Sequence, residues 1–362
     1  MTIEWRTPAL LALGWSESRE PELAPFLARG LAPARVVAQH RSHYVVSDGA
    51  LDRRAVLRGV LRAGLDASPD VPAVGDWVAV YDTSSTAVIE GLLPRHSAFV
   101  RQRAGLAVAP QVVAANIDVA LIATAVVGDL NVRRLERYLT IAWESGARPV
   151  VVLTKVDLAS ADERAQASLA VSSAAPGVEM LALSTLTGEG LEALAHVLLP
   201  ASTAVLVGSS GVGKSSLVNA LLGGPRLATA SVRADGRGRH TTTHRELVRL
   251  ASGALLIDTP GMRELQLWSD GDGLAASFAD VDTLAAGCRF RDCAHGGEPG
   301  CAVRSAIEEG SLEQERLESY LKLRREIERH ARLADPRAAA EANRRLRAMH
   351  RAQYSMPDKR DS

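Results

Sequence analysis

The sequence predicts a multidomain protein with a β-barrel N-terminal domain, an α/β domain on a doubly wound parallel sheet, and a small α-helical C-terminal domain. Three observations lead to this prediction. Short β-type runs come first, strand and helix patterns then alternate, and a charged helical pattern follows a cluster of cysteines. A chain of 362 residues is also too long for one hydrophobic core, because single cores stop growing at about 250 to 300 residues.

The composition excludes several classes of protein. Basic and acidic residues balance at 42 each and aromatic residues make up 4%, so no global charge attracts nucleic acid or a membrane. No apolar run approaches the roughly 18 residues that a membrane span requires, so we expect no membrane partner and no export. The 3 cysteines are clustered, which favours a metal site in a reducing compartment over disulfides. We therefore expect a cytoplasmic protein.

Residues 1–30 are predicted to be an N-terminal lead-in, and residues 31–105 a five-stranded barrel. The size and spacing of the strands fit an OB-fold, a barrel that often binds oligonucleotides. Arginines of this domain could contact phosphates, but acidic residues offset most of them, so a solvated surface is an equally good interpretation. The predicted strands begin near Arg35, Tyr44, Ala55, Asp76 and Ala87.

Residues 106–284 are predicted to form the α/β domain. Its apolar runs lack polar alternation, which is typical of strands buried on both faces of a parallel sheet. Helical segments fit between them, and ligands of such folds bind at the carboxyl ends of the strands. The predicted strands begin near Ile117, Pro149, Glu179, Ala204 and Ala254.

A glycine-rich motif follows one of these strands directly and opens a helix. In that context, backbone N–H groups and the helix N-terminus bind phosphate oxygens. Lys214 would bridge the β- and γ-phosphates of a nucleotide and Ser215 would bind Mg²⁺. This phosphate-binding loop (P-loop) alone does not separate GTP from ATP. Its predicted binding residues are Gly208, Ser209, Ser210, Gly211, Val212, Gly213, Lys214, Ser215 and Ser216.

A guanine-binding motif, Thr154-Lys155-Val156-Asp157, lies at the end of another buried strand. An ionised Asp157 accepts two hydrogen bonds from guanine, an arrangement that adenine does not offer. Lys155 would lay its aliphatic stem along the base plane. Thr154 stands where asparagine is common, so we expect guanine selectivity to survive and contacts to the purine N7 or to the P-loop to weaken.

The order of these motifs is reversed relative to an ordinary GTPase, because the guanine motif precedes the P-loop. This order predicts a circularly permuted P-loop GTPase domain. Ser184 and Thr185 begin a loop that is similar to the base-backing Ser-Ala-Lys loop of GTPases, and both would contact GTP. Asp258-Thr-Pro-Gly261 matches the D-x-x-G element, in which Asp258 would hold Mg²⁺ through water and the Gly261 N–H would sense the γ-phosphate.

A segment rich in Gly, Arg and Thr, residues 236–243, predicts a mobile switch loop. One of its threonines would provide a hydroxyl to Mg²⁺; the sequence does not decide which, and Thr242 is our candidate. Met262 occupies the position of the glutamine that orients water in many GTPases. We therefore hypothesise that His240, or the backbone and partner groups that it helps to order, positions the water. An ordinary exposed histidine is the competing interpretation. With Lys214, Thr242 and His240 are the predicted catalytic residues.

Four predicted metal ligands lie close together: Cys288, Cys293, His295 and Cys301. Three thiolates and one imidazole satisfy tetrahedral Zn²⁺ and leave no position for water, so we predict one structural zinc ion. Reduced cysteines without metal are the alternative interpretation.

Residues 285–355 are predicted to form a small α-helical zinc-binding domain, followed by a tail at 356–362. The helical part combines an apolar stripe with many arginines. Such a run is usually a solvated helix face. Beside a zinc site and an OB-type barrel, contact with a phosphate backbone is the better interpretation, and its affinity would depend on salt.

Together these motifs resemble the RsgA (YjeQ/EngC) family of bacterial small-ribosomal-subunit biogenesis GTPases, over roughly residues 10–330. The segments Pro72–Trp77 and Gln111–Asn116 carry the same resemblance. It implies slow hydrolysis of GTP to GDP and phosphate, stimulated by the small (30S) ribosomal subunit, with binding of 16S rRNA near the decoding region. It also implies a role in late 30S maturation and in release of an assembly factor.

Two other functions remain open at this point. A GTP-gated rRNA-binding module with little catalytic role would carry the same motifs, and a P-loop ATPase or kinase would share the P-loop. We expect the protein to be a monomer that binds Zn²⁺, Mg²⁺ with GTP, the small subunit and its 16S rRNA.

Overall fold

The computed structural model describes residues 7–40, 42–59, 71–82, 86–102, 110–224, 245–258 and 272–334. Its strands are β1 Ala32–Gln39, β2 Tyr44–Ser47, β3 Asp52–Leu57, β4 Trp77–Asp82, β5 Ala87–Leu92, β6 Ala98–Gln102, β7 Pro110–Ala115, β8 Val119–Ala125, β9 Arg148–Thr154, β10 Glu179–Ala182, β11 Thr203–Gly208, β12 Arg245–Arg249 and β13 Leu255–Asp258. Its α-helices are α1 Pro8–Leu11, α2 Glu20–Leu27, α3 Val132–Ser145, α4 Ala161–Ala174, α5 Leu191–Val197, α6 Lys214–Leu221, α7 Asp272–Ser277, α8 Ala279–Ala285, α9 Ala302–Glu308 and α10 Gln314–Ala334. Within these ranges no helix is both long and apolar enough to cross a membrane.

The first five strands form a closed barrel. β1 pairs with both β2 and β4, and β3 pairs in parallel with β5, which closes the order β1-β2-β3-β5-β4. Residues of β5 alternate between buried and partly exposed, as a strand with one face toward a core should. Val36, Val46, Val78 and Ile89 fill the interior. The predicted five-stranded N-terminal barrel is confirmed.

The N-terminal segment packs onto this barrel. Leu10, Trp15 and Leu23 are buried and share a cluster with Trp77 and Leu93 of the barrel. The rings of Trp15 and Trp77 meet edge to face, with centroids 4.9 Å apart, a favourable geometry for aromatic pairs. The segment predicted as a lead-in therefore contributes to the core of the first domain.

The central domain is a doubly wound α/β fold, as predicted. Its strands follow the order β10-β9-β8-β11-β13-β12, and all neighbours are parallel except β12 and β13. The intervening helices have sequence-encoded ends: Asn131 caps the start of α3, Gly146 in the left-handed region ends it, and Ser160 with Glu163 forms a capping box on α4.

Two features were missed by sequence reasoning. β12 pairs antiparallel with β1 at Ala38 and Gln39, so the barrel and the central sheet are hydrogen-bonded into one sheet. β6 and β7 form a separate two-stranded ribbon. The boundary predicted at residue 105 falls in 103–109, outside the described residues.

The C-terminal helices pack against α3 of the central domain. Phe278 and Leu317 are buried in the same cluster as Leu139 of α3. Arg316 of α10 is 7% exposed and pairs with Glu136 of α3, which is 1% exposed. The predicted α-helical C-terminal domain is confirmed, and the part of this prediction that concerns residues beyond 334 lies outside the described residues.

Candidate functional site

The P-loop lies at the carboxyl end of β11, where an α/β fold binds its ligands. Gly208 ends the strand with φ 147°, and a Cβ there would lie 2.4 Å from the Ala123 carbonyl oxygen, so only glycine fits. Gly213, with φ 103°, leads into α6. The Lys214 Nζ donates to the carbonyl of Gly208 at 2.8 Å and to that of Ser209. The loop therefore has the strand-to-helix context that the motif requires.

The guanine motif lies beside the P-loop and is hydrogen-bonded to it. Thr154 ends β9 and is 3% exposed, and its Oγ1 donates to the Val212 carbonyl oxygen at 2.6 Å. Lys155 adopts the left-handed conformation, φ 58°, and Asp157 follows in a short 3₁₀ helix, half-buried. Thr154 therefore contacts the P-loop through its one hydroxyl, and the weakening that we expected relative to asparagine stays a prediction.

The supporting loop lies next to the guanine motif. The Leu183 N–H donates to the Leu153 carbonyl at 2.8 Å, which holds the end of β10 against the end of β9. Ser184 is fully buried, and its Oγ accepts from the N–H groups of Leu186 at 3.1 Å and Thr187 at 3.2 Å. This turn fixes Thr185 at the same sheet edge as the guanine motif.

The predicted γ-phosphate and switch residues are only partly described. β13 lies next to β11 in register Val205 to Ile257, so the backbone of Asp258 ends at the edge that carries the P-loop. The Asp258 side chain, Gly261, His240 and Thr242 lie outside the described residues. Their assigned roles stay predictions.

The predicted metal ligands converge. Their ligand atoms all lie within 4.8 Å of one another. Cys288 Sγ lies 3.9 Å from Cys301 Sγ, and the His295 Nδ1 lies 3.7 Å from the first sulfur and 3.5 Å from the second. Tetrahedral zinc requires about 3.8 Å between sulfurs and about 3.6 Å between sulfur and nitrogen, from the usual bond lengths. The donor set, Cys288, Cys293, His295 and Cys301, therefore fits zinc through Nδ1 of the histidine.

The surroundings of the cluster orient its ligands. His295 is 3% exposed, and burial lowers its pKa, which favours the neutral imidazole that binds metal. Arg304 donates to the His295 carbonyl at 3.1 Å. The Glu298 carboxylate accepts from the N–H groups of Ala294 at 3.0 Å and Gly296 at 2.7 Å, and backbone hydrogen bonds lower its pKa. Sequence reasoning did not assign Glu298 this supporting role, although its position between two ligands was a signal.

Asp129 is a second residue that sequence reasoning missed. It precedes α3, and its carboxylate accepts from the P-loop Ser209 Oγ at 2.5 Å and from Arg134 at 2.7 Å. A single aspartate in a turn carries no recognisable pattern, so nothing in the sequence pointed to it.

Comparisons with known proteins agree with this geometry. The family profile described as RsgA GTPase matches residues 92–268. A curated protein of Streptomyces coelicolor named small ribosomal subunit biogenesis GTPase RsgA is 46% identical over 341 residues, covering 92% of this chain and 90% of its own. A protein of the same name from Opitutus terrae is 42% identical over 357 residues, covering 95% of this chain and 96% of its own.

Solved structures are also similar. A crystal structure of YjeQ from Thermotoga maritima aligns with a TM-score of 0.62 and 26% identity, covering 82% of this chain and 98% of that chain. A structure of YloQ, described as a circularly permuted GTPase, aligns with a TM-score of 0.59 over 82% of this chain and 95% of that chain, and at 24% identity it is evidence for the fold alone.

Proposed function

The chain belongs to the RsgA GTPase family, and on this basis we propose that it hydrolyses GTP and acts in the biogenesis of the small ribosomal subunit. One observation carries the proposal. The guanine motif and the P-loop lie at one sheet edge and are joined by the 2.6 Å hydrogen bond from Thr154 to Val212. A base and its phosphates can therefore be bound by a single connected surface.

Recognition of guanine would rest on Asp157. Its carboxylate would accept hydrogen bonds from N1–H and the exocyclic amino group of the base. Lys155, held in the left-handed conformation, would cover one face of the base with its methylene groups. Thr185, in the turn supported by Ser184, would approach the base from the neighbouring strand.

Hydrolysis would proceed by in-line attack of water on the γ-phosphate, with catalysis mainly by positioning and charge stabilisation. The Lys214 ammonium would move from the P-loop carbonyls to the β- and γ-phosphates and balance their charge. Mg²⁺, when bound, would neutralise charge on the same phosphates. Ser215, which is exposed at the start of α6, would be one of its ligands. We also propose that Asp258 and Thr242 help to hold Mg²⁺, and that His240 positions the water.

The zinc cluster would have a structural role. Four protein ligands fill a tetrahedral site and leave no position for a substrate. Cys301 directly precedes α9, so bound zinc would fix the start of that helix and the packing of the C-terminal domain.

The ribosomal partner would meet basic, exposed surface. In the loop between two zinc ligands, Arg289, Phe290 and Arg291 are exposed, and the Arg289 guanidinium lies 5.6 Å from the centre of the Phe290 ring. Arginines with an aromatic ring suit contact with phosphates and unpaired bases of 16S rRNA. We propose a cytoplasmic monomer that binds GTP or GDP at the P-loop and the guanine motif. The basic loop between the zinc ligands would contact the 30S subunit.

A direct connection supports coupling between nucleotide and ribosome. The predicted switch loop, 236–243, ends close before Arg245, the first residue of β12, and Arg245 pairs with Gln39 of the barrel strand β1. The Arg245 guanidinium also donates to the Gln39 side chain at 3.1 Å. A change at the switch would therefore reach the barrel through one strand.

Turnover of GTP and ATP, each with and without purified small ribosomal subunits, tests the proposal. We expect slow GTP hydrolysis that the subunits stimulate, and no comparable ATP hydrolysis. Equal use of ATP would contradict the role of Asp157. Tight GTP binding with no hydrolysis in either condition would favour a GTP-gated rRNA-binding module.

A further inference from the structure

We propose that Asp129 is a positioning residue for nucleotide binding, which anchors one side of the P-loop while Thr154 anchors the other. The proposal rests on the proposed GTPase function and concerns the same site. Asp129 lies in the turn between β8 and α3, outside the motifs that predict nucleotide binding.

Both carboxylate oxygens of Asp129 have partners. Oδ1 accepts from the Ser209 hydroxyl at 2.5 Å and from the Arg134 guanidinium at 2.7 Å. Oδ2 accepts more weakly from the Thr124 hydroxyl at 3.3 Å and from the Ala125 N–H at 3.4 Å. Hydrogen bonds to an ionised acceptor are roughly twice as strong as neutral ones, so the short bond from Ser209 is a firm attachment of the loop to the end of β8.

The two anchors meet at Thr124. Its carbonyl lies 3.4 Å from the Thr154 Oγ1, whose shorter hydrogen bond goes to the Val212 carbonyl at 2.6 Å. The P-loop is therefore held at Ser209 through Asp129 and at Val212 through Thr154, and the residue between the two anchors belongs to β8. Thr154 offers one hydroxyl where asparagine would offer a larger amide, so we expect Thr154 alone to restrain the P-loop less than asparagine would. The contact between Asp129 and Ser209 adds to that restraint.

Restraint of this loop has a direct effect on affinity. Gly211 and Gly213 both have positive φ, 77° and 103°, and glycine loses more conformational freedom on ordering than other residues. A loop already held in its binding shape avoids this entropic cost when phosphates bind. We therefore expect loss of either anchor to weaken nucleotide binding without changing the chemistry that follows.

The charge of Asp129 requires compensation. An unpaired carboxylate next to a phosphate-binding loop would repel the nucleotide. The Arg134 Nη2 contacts both Oδ1 and the backbone carbonyl of Asp129. Asn131 fixes the start of the same helix by accepting from the Arg134 N–H at 2.9 Å. The arginine therefore allows a carboxylate to serve as a hydrogen-bond acceptor at this place.

Variants at these positions test the proposal, with calorimetric Kd values for GDP and steady-state GTP hydrolysis as readouts. We expect Ser209→Ala, which removes the one charge-assisted hydrogen bond to Asp129, to raise Kd about tenfold. Asp129→Ala removes that bond together with those from Arg134, Thr124 and Ala125, and should raise Kd at least as much. The double variant should bind GDP no more weakly than Asp129→Ala alone, because Asp129→Ala already removes the contact that Ser209→Ala removes. Asp129→Asn keeps an acceptor and should stay within about threefold of wild type. For Asp129→Ala, hydrolysis at saturating GTP should change little, so the effect appears in KM.

Arg134→Ala should weaken GTP more than GDP, because GTP carries the larger negative charge, and Asp129→Asn should suppress that effect. Glu179→Gln is the matched control. Glu179 pairs with Arg148 at 2.8 Å at the amino ends of β10 and β9, opposite the P-loop, so this variant should bind GDP with the Kd of wild type.

A Kd for Ser209→Ala within twofold of wild type would overturn the proposal, even if Asp129→Ala does not fold. Additive losses in the double variant would overturn it as well, since they would mean that the two side chains act separately. If the wild-type protein binds no GDP, the proposed function itself fails. If wild type binds GDP and the variants match it, only the role of Asp129 fails.

Discussion

Arg316 of α10 contacts Glu136 of α3 with 2.7 Å between Nη1 and Oε1, although 180 positions separate the two residues in the chain. The same guanidinium donates to Asp280 at 3.0 Å and to the Ser277 carbonyl at 2.7 Å, and it lies 4.1 Å from the centre of the Phe278 ring. This buried arginine joins the C-terminal domain to the half of the GTPase domain that carries the guanine motif.

Replacement of Arg316 should strongly destabilise the protein. Arg316→Met leaves the Glu136 carboxylate buried without its cationic partner, which costs about 3–5 kcal/mol of unfolding free energy. Arg316→Met with Glu136→Leu should recover much of the loss, because the uncompensated charge is removed as well. Urea unfolding of the zinc-loaded protein measures both.

The exposed pair between Arg133 and Glu318, on the same two helices, is the control for this prediction. Arg133→Ala should cost at most about 1 kcal/mol. An equally small loss for Arg316→Met would mean that the buried pair does not hold the domains together.

The Thr154 hydroxyl should contribute to nucleotide affinity. Thr154→Val keeps the shape of the side chain but removes the donor to Val212, so we expect the Kd for GDP to rise about five- to tenfold. Thr154→Ser keeps the hydroxyl and should bind GDP nearly as well as wild type. Fluorescence titration with a labelled GDP distinguishes the two variants. Equal GDP affinities of Thr154→Val and Thr154→Ser would show that the hydrogen bond to Val212 does not contribute to nucleotide binding.

Asp157 should determine which base is bound. Asp157→Asn should weaken GTP binding by about 100-fold or more, because two hydrogen bonds to a charged acceptor are lost. The amide can donate to the carbonyl that xanthine carries in place of the guanine amino group, so XTP should bind better than GTP. Asp162→Asn, an exposed acid in the first turn of α4, should leave the preference for GTP intact. A variant at 157 that still prefers GTP would exclude this mode of recognition.

Removal of the metal should unfold the C-terminal zinc region. We expect one zinc ion per chain by mass spectrometry, and its loss with Cys301→Ala or with a strong chelator. The released segment should become sensitive to proteolysis. Glu308→Gln, at the exposed end of α9, should retain both the zinc ion and resistance to proteolysis. A wild-type protein purified under reducing conditions without stoichiometric zinc would reject the site.

Much of the fold was predictable because its signals are local. The glycines at 208 and 213 and the lysine at 214 are required by the turn that binds phosphate, so the motif indicated strand, loop and helix together. The zinc ligands lie within one short segment, and their side-chain chemistry alone indicated their convergence.

The missed features depend on contacts between distant parts of the chain. Ser209 and Asp129 are 80 positions apart, and neither has a pattern that predicts the other. The alternating strand β12 is only Arg245–Arg249, too short to stand out beside the predicted switch loop, and its partner β1 lies in the barrel. Arg316 belongs to a charged helix in which most charged residues face water, so the sequence gives no sign that this one is buried.

The most direct test is the initial rate of GTP hydrolysis by the full-length protein, measured with and without purified small ribosomal subunits. We predict a slow rate alone, a rate at least about tenfold higher with subunits, and loss of both in Lys214→Ala, since phosphoryl transfer depends on positioned charge. A rate that the subunits leave unchanged, or one that Lys214→Ala retains, would contradict a ribosome-stimulated GTPase built on this P-loop.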